Sequence, residues 1–242
     1  MNPSLPLPIS AGLMKNPPRL SVAQTRELES WAMERLGIPS LVLMENAARN
    51  IAGLIFHDQR FPPPVAIIAG RGNNGGDGLA IARQLDGMGI ASRALLIGPL
   101  ESCGADCRLQ AGALLASGYP LTMAKEGEEV AQWLQGAGCV VDAIFGVGLS
   151  RPLSGPFLKA VEAINKSGLP VIAVDVPSGL DADTGKPVGG QAVRATLTAS
   201  IGGLKAGLTH PQARPFTGEL VAVGLGLPKD RLSPSCANTT GM

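Results

Sequence analysis

The 242-residue chain suits one domain of ordinary to large size, and at 45% hydrophobic and 16% charged it can bury a sizeable core rather than stay disordered. A formal net charge of +1, with no Lys/Arg stripe among aromatics, leaves no footprint for nucleic acid. No run of about 18 uninterrupted apolar residues offers a membrane span, and the Pro-rich start lacks the basic-then-apolar order of a signal peptide, so a cytoplasmic location is expected.

Aromatics are only 3%, so the core must be aliphatic, the usual filling of a parallel sheet covered by helices. Residues 1–20 read as a flexible lead. Ser21 opens an apolar-periodic stretch, SVAQTRELESWAMERLG, with Gln24 in capping-box spacing. Gly37 and Pro39 break it, and SLVLMENAARNIAGLIF follows as a second helix. From Pro62 the pattern changes to strands at 65–69, 93–97, a weak 119–123, 139–145 and 171–176. Between them lie helices near 76–88, 104–116, 127–135 and 155–166. The alternation predicts an α/β fold: a Rossmann-like, doubly wound, mostly parallel sheet with helices on both faces, preceded by two N-terminal helices. Segments 196–200 and 219–224 read as final strands at one edge, so a single domain runs over 21–228 and a loose tail over 229–242. Cys103, Cys107, Cys139 and Cys236 show no zinc-type pairing and read as ordinary thiols in a reducing compartment.

Ligands in such a sheet bind beyond the carboxyl ends of the strands, near the switch in strand order. Three loops fall there. Gly70-Arg71-Gly72-Asn73-Asn74-Gly75-Gly76-Asp77-Gly78 holds a G-x-G-x-x-G between strand and helix, which permits close backbone approach to phosphate. The acid that a dinucleotide fold keeps at the end of its next strand is missing: that strand closes Leu96-Ile97-Gly98-Pro99, which argues against an ordinary nicotinamide-dependent dehydrogenase. The second loop follows Asp142, a carboxylate ending an apolar strand, where burial demands a cation or hydrogen-bond donors. The third carries Asp175, Pro177 and Ser178. Each loop alone is also explained by turn chemistry. Together they would meet in one crevice.

The segments GRGNNGGDGLAIARQL, VVDAIFGVGLSRPLSG and VIAVDVPSGLDADTG, with LVLMENAAR before them and TASIGGLKAGL after, resemble the NAD(P)H-hydrate epimerase family, the YjeF N-terminal domain. That resemblance, over about residues 20–228, implies an isomerase of metabolite repair that interconverts the R and S epimers of C6-hydrated NADH or NADPH. It implies that the hydrated cofactor contacts Asn73, Asn74, Gly75, Gly76 and Asp77; Gly146, Val147, Gly148, Leu149, Ser150, Arg151 and Pro152; and Asp175. It also implies a potassium ion on Asn74, Asp142 and Ser178, oxygen donors that suit a hard cation. The chain departs from the family at Ser200-Ile201-Gly202-Gly203 and at Gly224-Leu225-Gly226-Leu227-Pro228, with Lys205 retained.

Epimerisation at C6 requires loss and return of a hydroxyl through a cationic ring or a ring-opened form, hence a proton donor and acceptor and nearby negative charge. Asp142 is the first candidate, with Asp175 sharing the work and Lys205 a weaker candidate. A homodimer is expected from the apolar helices ahead of the first strand; the resemblance, for its part, implies a functional partnership with an ATP- or ADP-dependent dehydratase, which can be fused to it in the full-length protein. The alternative reading is a non-catalytic nucleotide-binding or protein-interaction scaffold of the same fold.

Overall fold

The computed structural model describes residues 12–127 and 129–228. In chain order the elements are β1 (Arg19–Leu20), α1 (Val22–Arg35), α2 (Ser40–His57), β2 (Val65–Ala69), α3 (Asn73–Gly87), β3 (Ser92–Ile97), α4 (Ala105–Ala116) and β4 (Leu121–Ala124). Then come α5 (Glu129–Trp133), β5 (Cys139–Ala143), α6 (Gly155–Lys166), β6 (Val171–Val174), β7 (Leu197–Ile201), β8 (Leu204–Lys205), α7 (Arg214–Thr217) and β9 (Glu219–Val223). The main sheet has seven strands in the order β4-β3-β2-β5-β6-β7-β9, and every neighbouring pair runs parallel. From β2 the chain winds outward one way through β3 and β4, and from β5 the other way. The switch point therefore lies between the tips of β2 and β5.

The period-2 alternation of the buried strands sorts side chains onto two faces. Val65, Ile67 and Ala69 of β2 join the core under α2, α3 and α4, where Leu79, Leu85, Cys107 and Leu114 meet them. Ala66 and Ile68 turn the other way, toward Val161 and Ile164 of α6. The two final strands stand at one edge as expected, both parallel to their neighbours.

The capping box at the head of α1 is present: the Gln24 amide donates to Ser21 Oγ at 3.2 Å, and the Ser21 amide to Gln24 Oε1 at 2.9 Å. Helix α2 is not left over by the sheet. Its stripe of Leu43, Met44, Ala47, Ala48, Ile51 and Ile55 is buried in the core shared with α3. The large apolar side chains left exposed on α1, α2 and the turn between them are Met33, Leu36, Val42 and Phe56.

The expected loose lead needs correction from residue 12 onward. The Gly224 amide donates to the Gly12 carbonyl, Leu13 bridges Val223 antiparallel, and Arg19–Leu20 pairs with β8. This strap supplies hydrogen-bond partners to an edge strand that would otherwise present free backbone groups. Residues 1–11, the 229–242 tail with Cys236, and Glu128 lie outside the described residues.

Candidate functional site

A cavity of about 750 Å³ opens over the carboxyl ends of the central strands. Helix α3 begins at Asn73, three residues earlier than the periodicity places it, so Asn73 and Asn74 form its first turn and its free amides face the crevice. Two glycines let the loops close on one another. A Cβ on Gly70 would sit 2.0 Å from the Ile144 carbonyl oxygen. One on Gly146 would sit 3.0 Å from Asp175 Oδ2 and 3.1 Å from Asn74 Oδ1.

Asp175, the first residue past β6, is held at φ +67°, a left-handed conformation that Asp tolerates better than most side chains. Its Oδ1 accepts from Lys205 Nζ at 2.5 Å and from the Ile201 amide at 3.1 Å. Lys205 also donates to the Ile201 carbonyl at 2.5 Å and is fully buried, so it is an anchor for Asp175 and not a surface lysine. Asp175 lines the cavity, together with Asp77, Asn74, Asn73 and Glu29.

Asp142 behaves differently. It is fully buried; its Oδ1 accepts from Ser178 Oγ at 2.6 Å and from the Ile144 amide at 3.3 Å, and its Oδ2 from the Ser178 amide at 2.8 Å. Burial pushes its pKa up to about 6, partly offset by the bonds from Ser178 and Ile144. It is not among the residues lining the cavity, and neither is Ser178. The first-choice acid–base residue of the sequence therefore sits behind the wall, while Asp175 stands on it.

The acids at the wall interact. Burial, reinforced by the charges of Asp175 and Glu29, holds the Asp77 carboxyl well above the usual carboxylate range. Burial and the charge of Asp175 raise Glu29 as well, with Lys205 and Arg26 pulling it back. Of the expected contact residues, Asn73, Asn74, Asp77, Gly146, Val147, Gly148 and Asp175 line the cavity. Gly75, Gly76, Leu149, Ser150, Arg151 and Pro152 do not. Sequence reasoning missed Arg26, Glu29 and Met33, which reach the cavity from α1, and Arg71 and Phe157 at its opposite end. The i, i+3, i+7 spacing of Arg26, Glu29 and Met33 puts them on one helix face, a pattern visible in the sequence once α1 is known to cover the crevice.

A doubly wound, all-parallel α/β protein with an acid-walled cavity at its topological switch point is the class that fold and site define. Residues 40–207 match the family model described as YjeF-related protein N-terminus. The chain is 37% identical over 202 residues to an NAD(P)H-hydrate epimerase of Limosilactobacillus fermentum, covering 84% of this chain and 94% of that one. It is 36% identical over 217 residues to an NAD(P)H-hydrate epimerase of Rhodopirellula baltica, covering 89% and 87%. It is also 38% identical over 217 residues to a bifunctional NAD(P)H-hydrate repair enzyme of Thermofilum pendens, there covering 88% of this chain but 41% of the relative. Among solved structures, yeast ynu0 superposes with a TM-score of 0.73 at 25% identity, covering 88% of this chain and 91% of that one. The chain belongs to the YjeF-related N-terminal family.

Proposed function

We propose that this chain is an NAD(P)H-hydrate epimerase, an isomerase that interconverts the R and S epimers of C6-hydrated NADH and NADPH. The observation that carries the reading is the Asp175 carboxylate, fixed by Lys205 on the wall of the switch-point cavity that Asn74 also lines. Its support comes from relatives of that name matched over most of their length.

The reaction breaks the C6–O bond of the hydrated ring as a proton reaches the departing hydroxyl, leaving water and a cationic ring. Water then adds to the opposite face and returns the proton. In this reading Asp77, whose raised pKa keeps it protonated to higher pH, is the donor and acceptor. Asp175 places negative charge beside the developing cation. Lys205 acts through Asp175 by holding its orientation.

A potassium ion belongs to the same reading. The residues present fit it: Asn74 Nδ2 is buried without a hydrogen-bond partner, so turning the amide over to present its oxygen breaks no existing bond of that nitrogen. The donors bonded to the buried Asp142 carboxylate, the Ser178 hydroxyl and two backbone amides, are neutral. Asn74, Asp142 and Ser178 would hold the ion, an all-oxygen set without soft ligands. When bound, it supplies positive charge that offsets Asp142 behind the cavity wall.

We further assign the protein to a homodimer and to the cytoplasm, where three buried free thiols, Cys103, Cys107 and Cys139, stay reduced. Among the described residues no helix is long and apolar enough to cross a membrane. The partner reaction is an ATP- or ADP-dependent dehydration that restores the cofactor, in line with the similarity to part of a bifunctional repair enzyme.

The test supplies one purified epimer of hydrated NADPH and follows the other by chromatography. Conversion faster than in buffer is expected, with Asp175→Asn slower by about a hundredfold or more. A rate equal to that of buffer refutes the function, and full activity in Asp175→Asn refutes the role of that carboxylate.

A further inference from the structure

Resting on that reading, we infer that Arg71 is a specificity-determining residue that receives the 2′-phosphate of the substrate, so that the enzyme favours hydrated NADPH over hydrated NADH. In dinucleotide-binding sheets the ribose 2′ position is read at the end of the strand following the Gly-rich loop. An acid there bonds the free hydroxyl, and an arginine nearby accepts a phosphate. Here that strand is β3, and its end, Ile97-Gly98-Pro99, carries no acid. Arg71 fills the place instead. A Cβ on Gly98 would meet Arg71 Cδ at 3.0 Å, and the Gly104 amide fixes the Arg71 carbonyl at 2.9 Å. The guanidinium lies over the Phe157 ring, 5.1 Å from its centroid, which holds the fork in place without using up its donors.

The cavity has the reach this assignment needs. Arg71 stands at the tip of β3, whereas Asp175 and Ile201 stand at the tips of β6 and β7. From β3 to β7 are four inter-strand steps, about 19 Å at the usual spacing. A dinucleotide laid across them puts its ring at the acid wall, its pyrophosphate over the amides of α3, and its adenosine end beside Arg71. Ser102 and Asp106 line the same end; the hydroxyl adds a donor, and the carboxylate tempers the attraction without matching a bidentate guanidinium. The cavity's other arginine, Arg26, belongs to the acid wall beside Glu29 and serves as the control.

The experiment measures kcat/KM for hydrated NADPH and hydrated NADH in the wild type, Arg71→Ala, Arg71→Lys and Arg26→Ala. In parallel, calorimetry titrates NADP+ and NAD+ into the same proteins. Arg71→Ala should lower kcat/KM for the 2′-phosphorylated substrate about tenfold or more and change the other by less than about threefold, the loss expected for one charged hydrogen-bonded contact. Arg71→Lys should recover part of the preference, and Arg26→Ala should leave the ratio of the two substrates unchanged. The NADP+ over NAD+ affinity ratio should follow the same order. Equal losses for both substrates and both cofactors in Arg71→Ala, or no loss for either, overturn the inference. If the wild type epimerises neither hydrate, the functional reading fails and the affinity ratio alone decides the role of Arg71.

Discussion

Asp77 and Glu29 are carboxyls that the folded protein keeps harder to ionise than the unfolded chain does. The sign follows from linkage: the folded state binds their protons more tightly, so their favourable contribution is complete below the ordinary carboxylate pKa and is lost as pH rises through the raised values. At neutral pH both therefore weigh against stability. Asp77→Asn should then raise Tm near pH 7, with the gain shrinking toward pH 4, while epimerase activity falls. Thermal scans across pH check this, and a Tm lowered at pH 7 would contradict it. The difference between Asp142 and Asp175 is a matter of one residue. Asp142 is the penultimate residue of β5, still within the ladder and sealed, whereas Asp175 follows the last residue of β6 and bends into the crevice. The sequence shows an acid at the end of each apolar run, but not where the ladder stops, so it does not tell which of the two lines the cavity and which lies behind its wall. Lys205 was legible only as a weaker candidate, and its burial against Asp175 was not, for a related reason. Nothing local marks a lysine as buried when its partners, Asp175 and the Ile201 carbonyl, are supplied by the fold.

Elements were read well where punctuation was strong. Helix α6 begins at Gly155 with Pro156 at its first turn, and β2 is bounded by Pro64 and Gly70. The weak spots were α5, only five residues long, and the strap at residues 12–20, whose order comes from pairing with β8 and β9 and not from its own composition. Away from the cavity, which Met33 lines, the two leading helices and their turn keep Leu36, Val42 and Phe56 at 42%, 45% and 53% exposure. Burying them against a second copy of the chain removes apolar surface from water without disturbing the core face of α2. Phe56→Asp combined with Val42→Asp should yield a folded monomer where the wild type elutes as a dimer. A wild type that sediments as a monomer at micromolar concentration would end the dimer assignment.

At the scale of the molecule, α/β class, strand direction and the meeting of three loops could all be inferred from alternation and strand-end polarity, because a parallel sheet brings every strand tip to one rim. The reach of α1 over that rim could not, since packing and not periodicity decides it. The loops themselves are locked together: Gly70 leaves no room for a Cβ beside the Ile144 carbonyl, the Phe145 amide donates to Ser178 Oγ at 2.9 Å, and a Cβ on Gly146 would crowd both Asp175 and Asn74. Potassium chloride should accordingly raise the melting temperature over choline chloride at equal ionic strength, by about 2–4 °C for each ~1 kcal/mol of binding free energy. Ser178→Ala should abolish the difference, and identical melting in the two salts would remove the ion from the proposal. The three crossings behave like the stones of an arch, none of which can be drawn out alone. A guest seated among them therefore strengthens the whole sheet, and its arrival is registered as cooperative melting at a higher temperature and not as the ordering of one loop.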